Sequence, residues 1–237
     1  VSSLGVGGTN AHTILEEAPA FEQSKEGRPF KIFTLSAKTK RSLQTYVDKL
    51  QQFVKNESTL NESDAAYTFQ LGRKHFTYRL PIVFENRDEL MEKLAQAAAS
   101  QTMQQAPLNE PSVIFLFPGQ GAQYLQMGRQ LYDSEPLFRD HLDQGLHWLK
   151  ANTKIDFKQI LYPEDEPVAD INETRYAQPL IFIFEYALAQ LVLSYGIRPQ
   201  TMIGHSIGEY TAAVLNGVFQ YEDALSLLRS EEHTSEL

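Results

Sequence analysis

A serine set between glycines, Gly204-His205-Ser206-Ile207-Gly208, limits this chain more tightly than any other stretch of it. An apolar run lies before it (residues 180–193, then Met202-Ile203), and a helical pattern follows. A G-x-S-x-G segment in that setting reads as a strand, a sharp turn and a helix, with the serine hydroxyl exposed at the tip. Glycine at 204 and 208 lets strand and helix approach closely. The helix N-terminus brings free N–H groups and partial positive charge to the serine oxygen. Such N–H groups suit the oxyanion of a tetrahedral intermediate. Without that frame the pentapeptide is only a serine in a tight turn. With it, Ser206 is the candidate nucleophile.

A second segment answers the elbow's needs. Residues 112–117 read as a buried strand, followed at once by Pro118-Gly119-Gln120-Gly121-Ala122-Gln123. Loops of this kind free backbone N–H groups to meet a ligand, and some cradle phosphate. This one lacks the Lys-Ser/Thr of a P-loop. An oxyanion loop after the first strand fits better, because an elbow supplies only one donor of its own.

The balance of the chain excludes other classes. Its 237 residues suffice for one large domain or two small ones, and 42% hydrophobic with 22% charged residues is a globular mixture. A net charge of −9 gives no electrostatic reason to expect nucleic acid or an anionic membrane as partner. The apolar stretches read as too short and interrupted to span a bilayer, and the N-terminus lacks signal-peptide features. Without cysteine there is no disulfide, thiolate metal site or cysteine nucleophile, which fits a cytoplasmic protein. Val1 is not a start methionine, so the expectation is a piece of a longer polypeptide.

Taken in order, residues 1–19 predict a glycine turn and a strand over 10–16, where His12 has no partner at a useful spacing and a structural role is expected. Residues 20–30 read as a connection. A strand is expected at 31–35, capped into a helix by Ser36, with Leu43, Tyr46, Val47, Leu50, Phe53 and Val54 on one face. A helix over 61–70 should end at Gly72, and a strand fills 78–84. Asn86 and Glu89 form a capping-box pattern. Arg73-Lys74-His75 reads as a solvated loop rather than an anion site. Residues 101–111 form a polar linker. A helix over 125–149 is broken near Pro136, and His141 and His147, six apart, do not share a face as metal ligands would. Residues 174–179 lead into a buried helix over 180–194, closed by Gly196 and Pro199. Residues 201–203 form the strand that feeds the elbow.

The opening stretch VSSLGVGGTNAHTILEEAP resembles the C-terminal end of a ketosynthase domain, with Leu4 where phenylalanine is usual. The phrases LSAKT and AAYTFQLGRKHFTYR resemble the linker domain between ketosynthase and acyltransferase. FPGQGAQY, YAQPLIFIFEYALA and GHSIGEYTAA, in that order, resemble the acyltransferase of a modular polyketide synthase. The resemblance covers residues 1 to about 228. It implies an α/β fold: a small αβ linker domain (20–110) after the ketosynthase end (1–19), then the N-terminal half of an α/β-hydrolase-like acyltransferase core (111–228). It implies that Ser206 is the acyl-accepting nucleophile, that backbone N–H groups of Gln120 and Ile207 form the oxyanion hole, and that Gln178 lines the acyl pocket. It also implies ping-pong transfer of an acyl group from malonyl-CoA to the phosphopantetheine thiol of an acyl carrier protein, with no cofactor or metal bound by this segment and the ketosynthase as a partner in the same polypeptide. Ile207 after the serine resembles the malonyl-loading subgroup.

The resemblance breaks at residues 229–237, RSEEHTSEL. An arginine that pairs with the substrate carboxylate is expected about 25 positions after the serine, where this chain has Glu231. RSEEHTSEL is the translation of AGATCGGAAGAGCACACGTCTGAACTC, a sequencing-library adapter, so these residues are expected to lie outside the natural sequence. The general-base histidine implied by the resemblance is absent, and His205, adjoining Ser206, is not expected to replace it. This segment alone is therefore expected to be inactive. Two rivals stand beside this reading. One is a serine hydrolase on the same elbow. The other is a non-catalytic docking or scaffold segment.

Overall fold

Hydrogen-bonding partners, more than apolar runs, decide where the elements of this chain begin and end. The computed structural model describes residues 1–18, 27–99, 104–107 and 111–231. They divide into two compact units, Val1–Ala106 and Pro107–Leu237.

The first unit opens with a short antiparallel pair, β1 (Ser2–Leu4) and β2 (Asn10–His12). The strand predicted over 10–16 stops at His12, because β1 offers three residues to pair with and Thr13 closes the ladder on the carbonyl of Val1. His12 Nδ1 lies 2.7 Å from Ser2 Oγ, a bond across the pair.

β3 (Lys31–Ala37) buries alternate residues Phe33, Leu35 and Ala37. It runs two residues past the predicted end and takes Ser36 with it. The cap of α1 (Lys40–Asn56) is therefore Thr39, whose Oγ1 accepts from the Ser42 N–H at 3.1 Å. Ser36 instead accepts from Phe76 N–H and donates to the Lys74 carbonyl. Leu43, Val47, Leu50 and Val54 form the buried stripe of α1, while Phe53 is 51% exposed. Asn61 caps α2 (Glu62–Leu71), accepting from Ser63 and Asp64. β4 (Tyr78–Phe84) pairs antiparallel with β3 from Lys31↔Phe84 to Ala37↔Tyr78. Before α3 (Arg87–Ala99), Asn86 accepts from Glu89 N–H, and Glu89 reaches back to the N–H of Glu85 rather than of Asn86. β5 (Gln104–Gln105) extends the sheet beside β4. The core centres on Phe33, whose ring meets Phe69 and Phe84, each at 4.7 Å between centroids. Residues 20–26 of the expected connection, and residues 101–103 and 108–110 of the expected linker, lie outside the described residues.

The second unit begins with β6 (Ile114–Phe117). The break expected near Pro136 is present: the stretch forms α4 (Arg129–Ser134), which starts later than expected, and α5 (Pro136–Thr153), with Pro136 in the first helical position of the second. A short α6 (Phe157–Leu161) follows, then α7 (Thr174–Ser194). Residues 174–179 do not lead into α7; they form its opening turns. Pro179 lies inside the helix, past its first turn, so the bond that an N–H there would give to the Arg175 carbonyl is forgone. The added turns give α7 the length and apolarity to cross a membrane, contrary to the expectation from sequence, but more than half of its most apolar window is buried in this unit's core. β7 (Thr201–Gly204) lies parallel to β6, from Ile114↔Thr201 to Phe117↔Gly204. α8 (Gly208–Leu215) and α9 (Tyr221–Glu231) complete the unit.

Candidate active site

The turn between β7 and α8 is held in a conformation that its central residue resists. Ser206 has a φ of 55°, in the left-handed region that residues with a Cβ rarely adopt. Close backbone contacts on both sides hold it there. A Cβ on Gly204 would lie 2.3 Å from the amide nitrogen of Glu209, and one on Gly208 would lie 2.3 Å from the carbonyl oxygen of Phe117. The two glycines are thus the contact surfaces through which α8 meets β7 and β6. His205 N–H donates to the Phe117 carbonyl at 3.0 Å, carrying the sheet's bonding one residue past β7. Ile207 is buried and anchors the turn, while His205 and Ser206 are exposed.

The loop after β6 lies against this turn. A Cβ on Gly119 would meet His205 Nδ1 at 2.8 Å and Ser206 Cβ at 3.1 Å. Further along, Gly121 takes a φ of 111° and gives its N–H to Gln123 Oε1 at 2.7 Å. The Gln123 amide donates to Asn172 Oδ1 at 3.0 Å, and Gln120 Nε2 donates to Thr174 Oγ1 at 3.1 Å. Neither the N–H of Gln120 nor that of Ile207 has an acceptor among the described residues. Gln178 is half-buried on α7, one turn beyond Thr174 and on the same face. No hydrogen bond joins Ser206 Oγ to a described side chain, His205 included. The side chain of Glu231 is outside the described residues.

Sequence reasoning gave Gln123 no role, although it is buried and fixes the loop. Its signal was a polar amide inside a glycine loop, next to apolar Tyr124 and Leu125. Glu185 was missed as well. Its Oε2 accepts from the buried hydroxyl of Thr211 on α8 at 2.7 Å, and burial pushes its carboxyl up to about 7. An apolar cavity of about 400 Å³ borders Glu185 and is lined by β6, the 118–127 segment and α7; Ser206 is not among its walls.

Residues 114–233 match the family model described as acyl transferase domain, and residues 31–94 match one described as CurL-like, PKS C-terminal. A phenolphthiocerol/phthiocerol polyketide synthase component from Mycobacterium tuberculosis (strain ATCC 25618 / H37Rv) is 36% identical over 241 residues, which cover 95% of this chain and 16% of that protein. Orsellinic acid synthase armB of Armillaria mellea is 33% identical over 233 residues, covering 96% of this chain and 10% of that protein. Among solved structures, the acyl transferase domain of ZmaA superposes with a TM-score of 0.80 at 36% identity, over 88% of this chain and 49% of that one. The acyl transferase domain of SpnD, in complex with 2-(pent-4-yn-1-yl)malonyl, gives 0.75 at 31% identity, over 87% and 49%. The chain therefore spans about half the length of these solved chains and a sixth or less of the two synthases.

Proposed function

The chain belongs to the acyl transferase domain family, and we propose that it is the N-terminal half of a malonyl-loading acyltransferase in a modular polyketide synthase. Residues 1–19 are then a ketosynthase end, 20–110 the linker domain and 111–228 the acyltransferase half, in a cytoplasmic multifunctional enzyme. Residues 229–237 stand outside the natural sequence in this reading, although the family match runs to residue 233.

The reaction follows from the turn. Ser206 Oγ attacks the thioester carbonyl of malonyl-CoA, and the N–H groups of Gln120 and Ile207 receive the oxyanion that forms. Each such donor lowers the barrier by about 3 kcal/mol. Collapse breaks the C–S bond, coenzyme A leaves as its thiol, and malonyl remains on Ser206 as an ester. The phosphopantetheine thiol of an acyl carrier protein then attacks that ester, and its proton returns to the serine oxygen. Gln178, on the α7 face that meets the 118–123 loop, lines the acyl pocket. The proton acceptor and the arginine for the free carboxylate belong to parts of the parent enzyme beyond this half. The 237 residues alone then transfer no malonyl group.

The observation that carries this reading is Ser206, exposed at a φ of 55° on a parallel β–turn–α with two glycine contacts beneath it. The test is intact-protein mass spectrometry of the parent acyltransferase after malonyl-CoA. One malonyl mass should appear, move to a carrier protein, and vanish completely in Ser206→Ala. Acyl release to water without a carrier protein would point to the hydrolase instead. An unaltered mass with tight carrier binding would point to a docking segment.

A further inference from the structure

In the buried stretch of α7, a carboxyl interrupts a largely apolar surface. Glu185 is 7% exposed, and its environment is Ile181, Phe184, Leu188 and Ala189 from α7, and Phe115 and Phe117 from β6. A carboxyl there is unfavourable unless it is paired or neutral. Among the described residues it has a single hydrogen-bond partner. Thr211 is completely buried on α8 and donates to Oε2, while Oε1 is buried with no hydrogen-bond partner among the described residues; Glu185 as a residue lines the apolar cavity.

What the pair joins is the middle of α7 to a helix that starts two residues after Ser206. α8 is only eight residues long. Its opening glycine touches the Phe117 carbonyl, so a small shift of α8 is a shift of the turn. α7 packs against α5, α6, α8 and α9. Among the described residues, no charged group from these helices or from β6 acts on the carboxyl. Desolvation raises its pKa to about 7, and the Thr211 bond alone opposes that rise. The exposed phenol of Tyr124 is the cavity's other ionisable wall.

We propose that Glu185 is a positioning residue: its neutral carboxyl, through Thr211, clamps α8 and the Ser206 turn onto α7, and ionisation loosens that clamp. A carboxylate in this apolar setting is stabilised when water reaches it. The short α8 is the element that yields. The consequence for catalysis rests on the acyltransferase reading. The clamp itself does not, and it is measurable without acyl transfer.

The test is site-resolved amide hydrogen exchange in the 237-residue chain, corrected for intrinsic rates, together with a carboxyl-carbon NMR titration of Glu185. In the wild type, exchange across α8 should rise about tenfold or more as pH increases through the window from 4.5 to about 7, while α5 stays level. Glu185→Gln should hold α8 protected with no pH dependence. Thr211→Val should raise α8 exchange already at pH below 5, and Thr211→Ser should restore the wild-type profile. A level wild-type profile, the same profile in Glu185→Gln, or an equal rise in α5 overturns the clamp. Should Thr211→Val not fold, Glu185→Gln decides alone. A parent enzyme that never acylates Ser206, beside an α8 profile that behaves as described, would remove the proposed function and leave the clamp in place.

Discussion

The two units solve opposite problems with similar material. In the first, β3 and β4 pair over seven residues, and Phe33 and Phe84 are fully buried between helices whose apolar stripes are regular. Its hydrogen-bonded caps, Thr39, Asn61 and Asn86, lie at helix starts and relieve donors that would otherwise be unpaired. In the second, two strands carry a turn that is itself under strain, and Ile114, Leu116 and Ile203 stay at least half exposed. The first unit gains order mainly from local preference, in its caps and the buried stripe of α1. The second sets local preference aside at Ser206 and holds the exception by close contact. Strain of that kind persists only where the surroundings over-determine it.

That contrast can be broken or sharpened by substitution. The largest stability effect belongs to the first unit: Phe33→Ala leaves a cavity among Phe69, Phe84 and α1 and should cost about 3–5 kcal/mol, read by urea unfolding of the whole chain. An equal loss of signal from the second unit would show that the two cores do not unfold independently. Next comes pH. Glu185 binds its proton more tightly folded than unfolded, so its stabilising contribution is complete below pH 4.5 and is lost as pH rises towards about 7. The Glu185 contribution to the second unit should fall by roughly 3 kcal/mol over that window, and Glu185→Gln should remove that part of the slope. The smallest effect is Gly208→Ala, which sets a methyl against the Phe117 carbonyl and should cost about 1–3 kcal/mol by calorimetry. If Gly208→Ala left stability and the elbow untouched, contact would not be what holds the turn.

Much of this was legible in the chain, for local reasons. The 78–84 strand, the buried stripe of α1 and the strand–turn–helix at Ser206 follow from periodicity and from glycine placement. Other features depended on partners distant in sequence. Ser36 looked like a cap until β4 proved long enough to pair with it, which moved the cap to Thr39. Residues 174–179 contain a proline and read as a lead-in, yet α7 runs through Pro179 with one backbone bond fewer. Glu185 was hidden for a different reason. A lone glutamate in an apolar run reads as a helix's wet edge, and only the hydroxyl of Thr211, 26 positions later, marks it as buried.

The bridge through Gln123 has a consequence for how this site can vary. Asp170 accepts from the Asn172 amide, Asn172 accepts from the Gln123 amide, and Gln123 accepts from Gly121 N–H. Each amide donates in one direction and accepts in the other, so the series has a polarity and neither amide can turn over without losing two bonds. It occupies the N–H of Gly121 and leaves that of Gln120 uncommitted. The segment around Asp170 is therefore a remote setting for the donor loop. Sequence drift there would re-aim an amide nearly fifty residues away while every residue of the glycine loop stayed the same.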